Sequence, residues 1–200
     1  MKLKYNSPVI LTFTFLSSIV LLIDSVTGSK IIPGLFTVPG EFAFNHPLDY
    51  LRIFTHAAGH ANWMHLVGNF SLVLLLGPIL EEKYGSRDIL LMMLATAGIT
   101  GILNVVFFDS GLLGASGIVF MLILLSSFSN FKSGEIPITF ILVVALYLGQ
   151  EIYRAVTEDN QVSEFAHIIG GAIGGVFGFL VERSKGGKKP ATDKFGIKIE

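Results

Sequence analysis

Gly114-Ala115-Ser116-Gly117, followed by the uncharged run 118–128, is the stretch on which the interpretation of this sequence depends. A long apolar run without charge predicts a membrane-spanning helix, and here the helix would begin at the serine. The small neighbours of Ser116 allow another backbone or a bound chain to come close to its hydroxyl. The motif therefore places a potential nucleophile at the junction between a polar loop and a membrane span.

The composition of the chain restricts the class of protein. The 200 residues are 52% hydrophobic and 14% charged, whereas a soluble domain is usually about 25% charged. The net charge of −1 gives no indication of nucleic-acid binding. The absence of cysteine excludes disulfides, thiolate metal ligands and a cysteine nucleophile. Because the apolar residues occur in separate runs, the sequence predicts an all-α, polytopic membrane protein.

Six apolar runs are candidate spans, at about residues 8–23, 63–80, 89–108, 115–128, 136–153 and 164–181. The segment 24–62 is too interrupted by prolines to span, and its aromatic residues are typical of a membrane interface. We therefore expect a single six-helix domain over residues 1–182 with an outer interfacial loop. The basic, glycine-rich tail 183–200 is predicted to be disordered.

The distribution of positive charge predicts the orientation in the membrane. Eleven Lys and Arg residues lie in the N-terminus, the 81–88 and 130–135 turns and the tail, against three in the opposite loops. Because positive charge is enriched on the cytoplasmic side, both termini are predicted to be cytoplasmic. Ser116 then lies toward the outer face, in a multi-pass integral membrane protein.

The predicted helix 115–128 is too short to cross the membrane completely. Its 14 residues extend about 21 Å at ~1.5 Å per residue, and the hydrocarbon layer is ~30 Å thick. The serine end should therefore stop below the outer boundary. Non-helical backbone at that depth is tolerated where it lines protein or a wet cavity, so the loop 109–114 predicts a water-filled pocket.

A serine nucleophile requires a neighbouring base, and His167 is the best candidate. It opens the sixth span on the same outer side, and Gly170, Gly174 and Gly178 follow at +3, +7 and +11, on its own helix face. This small-residue seam predicts close packing against the fourth span. Two alternatives stay open: Ser116 as a simple helix cap and His167 as an interfacial histidine.

His65 and Asn69 are spaced i, i+4 and share one face of the second span. Both side chains donate hydrogen bonds, and an acyl-transfer transition state needs fixed donors for its oxyanion. The backbone N–H of Ser116, at a helix N-terminus, would be a third donor. The alternative is that the two side chains form an interhelical hydrogen-bonded pair.

A metal site on His56, His60 and His65 is disfavoured. Ala57, Ala58 and Gly59 stand between the first two histidines, so the acidic residue of a zinc-protease motif is missing. We therefore predict no metal and no cofactor. His56 and His60 are expected to brace the outer segment or to hold water in the pocket.

No acidic residue is well placed to orient His167, so the sequence predicts a Ser–His dyad oriented by packing. Phe120 lies one turn after Ser116, and its ring could stack on the imidazole. Packing in the core alone explains Phe120 equally well.

At this point the motifs resemble those of the rhomboid family of intramembrane serine proteases, in its compact six-helix bacterial form. The resemblance covers about residues 51–181. It is carried, in order, by Leu51-Arg52, Phe54-Thr55-His56, His60, His65-x-x-x-Asn69, Gly77 with Glu81, Gly85-Ser86, Gly114-Ala115-Ser116-Gly117 and Ala166-His167-x-x-Gly170-x-x-x-Gly174.

The resemblance implies a nucleophile at Ser116 and a general base at His167. It implies an oxyanion site made by His65, Asn69 and the Ser116 amide. Further implied roles are an anchor for the outer loop at Arg52, a structural brace for the cytoplasmic turn at Glu81, and a substrate gate and cap formed by the fifth span and the loop 157–163.

Two positions depart from the family pattern. Leu51 replaces the usual tryptophan and weakens the anchor of the outer loop. Phe120 stands where a tyrosine is common, which removes a hydroxyl and keeps a ring.

The expected function is that of a serine endopeptidase that cleaves transmembrane proteins near the outer face of a bacterial cytoplasmic membrane. Its expected partners are transmembrane substrates and the lipid bilayer, with no nucleic acid and no metal. Two alternatives are an inactive rhomboid-like protein that binds transmembrane clients and a histidine-based metal or transport protein.

Overall fold

The computed structural model describes residues 5–128, 138, 141–142, 145–146, 168–170, 172–177 and 180. The helices in residues 5–128 are α1 (Pro8–Val26), α2 (Ile31–Leu35), α3 (Pro47–Thr55), α4 (Trp63–Tyr84), α5 (Ser86–Phe107) and α6 (Ser116–Phe128). A 3-10 turn, His56–Ala58, follows α3 directly. Residues 168–170 and 172–177 are also helical. Within these described ranges the chain contains helices and one isolated β-bridge, and no strand.

Three of these helices, α1, α4 and α5, are long and apolar enough to cross a membrane. They overlap the predicted spans 8–23, 63–80 and 89–108, but α1 continues to Val26 and α4 continues to Tyr84. The predicted span 136–153 falls mostly outside the described residues, and the tail 183–200 falls entirely outside them. The predicted span 164–181 is described at residues 168–170, 172–177 and 180.

Within the polar turn predicted at residues 81–88, Gly85 is the one residue that lies outside a helix. Gly85, with φ of 88°, ends α4 and immediately precedes α5. A positive φ favours glycine because it has no Cβ to clash with the backbone. The sequence predicts the charged residues Glu81 to Lys83 in the turn, but they belong to the last turn of α4, because helical hydrogen bonding continues to Gly85.

Glu81 joins this end of α4 to the start of α1. Its carboxylate accepts hydrogen bonds from the backbone N–H groups of Val9 and Ile10, each at 3.0 Å, and from the Ser86 hydroxyl at 2.7 Å. The first N–H groups of a helix have no partner within the helix, so the buried carboxylate supplies one. Gly77, one turn earlier on α4, leaves room for Ile10.

The connecting segment, residues 27–62, packs on α5 through α3. A Cβ on Gly101 would lie 2.5 Å from the carbonyl oxygen of Ile53, and a Cβ on Gly98 would lie 2.8 Å from the Phe54 ring. Arg52 then joins α3 to α2: its guanidinium donates to the Gly34 carbonyl and, at 2.5 Å, to Asp49. The long segment between the first two spans is therefore a folded part of the bundle.

The helix α6 lies at the centre of the bundle, in contact with α4 and α5. Ala115, at its entrance, and Met121, Leu122 and Leu125 within it are fully buried. A helix that is apolar on all faces is stable only when protein or lipid surrounds it. The first residue of α6, Ser116, is half-buried and lies between the buried residues Ala115 and Gly117.

Replacing Gly101 with Ala should destabilise the fold, because the new methyl group would meet the Ile53 backbone at 2.5 Å. Overpacking of this kind typically costs ~1–3 kcal/mol. Thermal unfolding in detergent should therefore begin at a lower temperature in Gly101→Ala than in the wild type. The matched control is Gly68→Ala, since nothing lies within 4 Å of that position. A Gly101→Ala variant that unfolds at or above the wild-type temperature would contradict this packing.

Candidate active site

The backbone that leads into Ser116 is held by the connecting segment at three successive points. Val38 and Leu112 exchange two backbone hydrogen bonds, at 2.9 and 3.1 Å. The N–H of Gly114 then donates to the carbonyl of His56 at 2.9 Å. Gly114 has a φ of 116°, a backbone conformation that residues with a side chain rarely adopt. These contacts define the direction in which the chain enters α6.

His60 supplies the third point of attachment. Its Nε2 accepts the backbone N–H of Ala115 at 3.4 Å, and its Nδ1 lies 3.4 Å from the carbonyl of Ala58. Burial, together with the repulsion that a protonated His65 would exert, lowers the pKa of His60 to about 4. The ring is therefore neutral at pH 7 and can accept at Nε2 while it donates at Nδ1.

His56 is also buried, and burial lowers its pKa to about 4. Its Nε2 lies 3.1 Å from the carbonyl oxygen of Ala97 on α5. A neutral ring that donates to this carbonyl keeps an acceptor lone pair on Nδ1. That Nδ1 is buried and makes no hydrogen bond in the structure as described.

His65 and Asn69 lie side by side against Gly114. A Cβ built on Gly114 would be 2.9 Å from the Nε2 of His65 and 3.8 Å from the Nδ2 of Asn69. The backbone N–H of Ala61 donates to the Nδ1 of His65 at 3.4 Å. When Nδ1 accepts a hydrogen bond, a neutral histidine carries its proton on Nε2. His65 therefore directs an N–H donor toward the backbone two residues before Ser116.

The amide nitrogen of Asn69 is a buried donor without a hydrogen-bond acceptor among the described residues. Leaving such a group unpaired costs ~1–3 kcal/mol. Native proteins accept this cost rarely, and a role in chemistry is one of the recognised reasons. Asn69 and His65 thus give this side of Gly114 two donors, one of which has no structural partner.

A small cavity of about 10 Å³ lies on the other side of the serine. The residues that line it include Ser116, His56 and Thr100. One water molecule needs ~10–15 Å³ of this kind of volume and two or more polar partners. The cavity is therefore of the size and polarity that suit a single water next to the Ser116 side chain.

The glycines of the sixth predicted span touch the backbone of α6. A Cβ on Gly170 would lie 2.1 Å from the carbonyl oxygen of Gly117, and a Cβ on Gly174 would lie 2.4 Å from that of Met121. Only glycine allows two helices to approach this closely. The seam expected from the glycine spacing therefore lies on α6 at these two positions.

Two other candidates of this region, His167 and Gly178, lie outside the described residues. The structure thus brings together Ser116, Gly114, Gly117, His56, His60, His65, Asn69, Gly170 and Gly174. Phe120 is buried on α6 one turn after the serine. Arg52 and Glu81 form the structural contacts described above, away from the serine.

Sequence reasoning missed two contributors to this site. Thr100 lines the cavity beside Ser116, and a polar residue inside a predicted span is a signal that could have identified it. Val38 pairs with Leu112 through backbone atoms alone, so its side chain carries no signal of that contact.

Comparison with known proteins identifies one family. A family profile described as Rhomboid domain matches residues 47–184, more than two thirds of the chain. The matched range begins at α3 and contains α4, α5, α6 and the glycine seam. A comparison with curated proteins finds no match.

The two buried histidines predict that stability depends on pH. Their folded-state pKa values of about 4 lie below the ordinary 6.5, so the unfolded chain binds protons first as pH falls. Their contribution to stability is complete above pH 6.5 and is lost progressively toward pH 4. We expect the unfolding temperature in detergent to fall between pH 7 and pH 5.

His60→Gln should reduce this dependence on pH, since it removes one of the two titrating groups. His46→Gln is the matched control, because His46 is exposed. The interpretation fails if the unfolding temperature of His60→Gln falls with pH as steeply as that of the wild type.

Proposed function

The chain belongs to the rhomboid family of polytopic helical membrane proteins, and from this premise we propose that it is an active intramembrane serine endopeptidase. The observation that carries the proposal is the unpaired Asn69 amide, which lies with His65 beside Gly114 at the entrance to Ser116. Two donors beside a serine at a helix N-terminus suit acyl transfer.

Ser116 is the proposed nucleophile and His167 the proposed general base. Gly170 lies against Gly117. On a continuous helix His167, three positions before Gly170, would occupy the same face as this glycine. This register would direct His167 toward the start of α6. The imidazole takes the Ser116 proton as Oγ attacks the substrate carbonyl carbon, and returns it to the amine that leaves.

The oxyanion forms when Oγ adds to the carbonyl carbon and the C=O electron pair moves onto oxygen. The proposed donors are the Nε2–H of His65, the Nδ2–H of Asn69 and the backbone N–H of Ser116. The backbone N–H also benefits from the positive end of the α6 dipole. Because these groups are held before the substrate arrives, they stabilise the charge without reorganisation.

Hydrolysis of the acyl-enzyme requires water next to Ser116. The small cavity lined by His56, Thr100 and Ser116 is a proposed holding position for that water. His167 removes a proton from the water as its oxygen attacks the acyl carbon. The Ser116 oxygen then leaves as the hydroxyl with that proton, and the enzyme is regenerated.

The proposed substrates are transmembrane proteins whose helix unwinds before cleavage, because a helix keeps its carbonyl groups in internal hydrogen bonds. We propose entry from the membrane, cleavage near the outer face, and both termini in the cytoplasm, as the charge distribution predicts. The loop 157–163 and most of the fifth span, the proposed cap and gate, lie outside the described residues.

Ser116→Ala and His167→Ala should each abolish cleavage of a single-span substrate in proteoliposomes, with the folded state retained. Cut products are read by mass spectrometry, and labelling by a fluorophosphonate should be lost in Ser116→Ala. Ser127→Ala is the matched control, since its hydroxyl only donates to Ile123 in the same helix. Wild-type cleavage by Ser116→Ala would refute the proposal, and a wild-type protein that neither labels nor cleaves would favour a client-binding role.

Asn69→Ala should slow cleavage by ~10²–10³, as expected for the loss of one oxyanion donor. Its unfolding temperature should not show the decrease that is expected when a structural hydrogen bond is lost, because the amide nitrogen has no acceptor in the described structure. This split between activity and stability distinguishes an oxyanion donor from an interhelical bond. Ser71→Ala, on an exposed position of α4, is the control. An Asn69→Ala variant with the wild-type rate would remove Asn69 from the mechanism.

A further inference from the structure

A second and much larger cavity lies on the side of the bundle formed by α1, α5 and the end of α3. It is a groove of about 480 Å³, bounded by the first half of α1, by Leu90 to Ala97 of α5, and by Phe54 and Thr55 above. The catalytic proposal makes no use of it. Its floor is formed by Ala57, Ala58 and Ile118, which are sequence neighbours of His56 and Ser116.

The described residues that line the groove include no charged residue, and both hydroxyl groups among them are already hydrogen-bonded. The Thr12 hydroxyl is hydrogen-bonded to the Tyr5 hydroxyl at 3.0 Å, and the Thr55 hydroxyl donates to the Leu35 carbonyl at 2.5 Å. A polar occupant would lose its hydration without compensation. The occupant must therefore be hydrocarbon.

The groove opens sideways between two helices that are able to cross the membrane. Leu16 on α1 and Leu94 on α5 both line it and are 49% and 44% exposed. At this depth the medium outside a membrane protein is the acyl-chain layer. Lipid is therefore the neighbour that meets the mouth of the groove.

The groove is long enough to hold part of an acyl chain. From Pro8 to Leu16 the lining follows α1 for eight residues, or ~12 Å at ~1.5 Å per residue. The surrounding lipid supplies flexible hydrocarbon chains that can lie along a groove of this length, whereas a protein helix in their place would shield Leu16 from lipid.

We propose that this groove binds an acyl chain of a membrane lipid. Lining atoms without a neighbour lose their dispersion contacts, so a bound chain completes the packing beneath the turn His56–Ala58 and the start of α6. The bound chain is thus part of the support of the active site. The proposal does not depend on catalysis, and it can be tested on Ser116→Ala.

The test uses tryptophan fluorescence and lipids with brominated acyl chains, which quench on contact. Trp63, the single tryptophan, is replaced by Phe, and one new tryptophan is placed at Leu16 or Phe15. These neighbours share one depth and are about equally exposed, at 49% and 55%, but only Leu16 lines the groove. Each variant is purified in detergent and titrated with brominated phosphatidylcholine.

Leu16→Trp should be quenched at low lipid-to-protein ratios, along a saturating curve, whereas Phe15→Trp should be quenched only as the micelle fills with lipid. Coincident curves would overturn the proposal, since Leu16 would then contact lipid only as part of the general surface. Leu16→Trp that is quenched less than Phe15→Trp would also overturn it, because protein would then cover the groove. Native mass spectrometry of the Trp63→Phe parent gives an independent measurement: a retained lipid adduct is expected, and its absence counts against the proposal.

Discussion

The hydrogen bonds between the connecting segment and the loop before Ser116 are the constraint on which the rest of the structure depends. Leu112, Gly114 and Ala115 are each held by a backbone atom or a buried ring on residues 38–60. In a protein interior such bonds are strong and costly to break, because no water replaces them. Non-helical backbone is tolerated inside a membrane protein where its polar groups have partners, and the N–H groups of Leu112, Gly114 and Ala115 before the serine are hydrogen-bonded.

Glycine contacts and histidine hydrogen bonds hold the helices and the connecting segment together around the site. Small residues bring backbones together: Gly101 admits the Ile53 carbonyl on one side of the bundle, and Gly170 admits the Gly117 carbonyl on the other. Buried neutral histidines then fix the relative positions of these elements, since the His56 ring joins the connecting segment to α5. The donors that hold the loop are paired, whereas the amide nitrogen of Asn69 has no acceptor among the described residues.

Much of the fold could be predicted from the sequence, since spans depend on local hydropathy. The bounds could not: the charged residues 81–83 suggest a turn, but helical hydrogen bonding continues to Gly85, where a positive φ stops it. The proximity of His65 and Asn69 follows from i, i+4 spacing. The contact between Val38 and Leu112 could not be predicted, because backbone pairing over 74 positions leaves no side-chain pattern.

The sequence by itself determined the membrane class, the positions of the apolar helices and the residue types available for acyl transfer, because hydropathy and helical spacing are local properties. Only the tertiary structure decided that the histidines of the connecting segment hold the serine loop, that Asn69 has an unpaired amide nitrogen, and that a hydrocarbon groove lies beneath the site. These features depend on which surfaces of distant elements meet. That outcome follows from packing of the whole chain rather than from any single stretch.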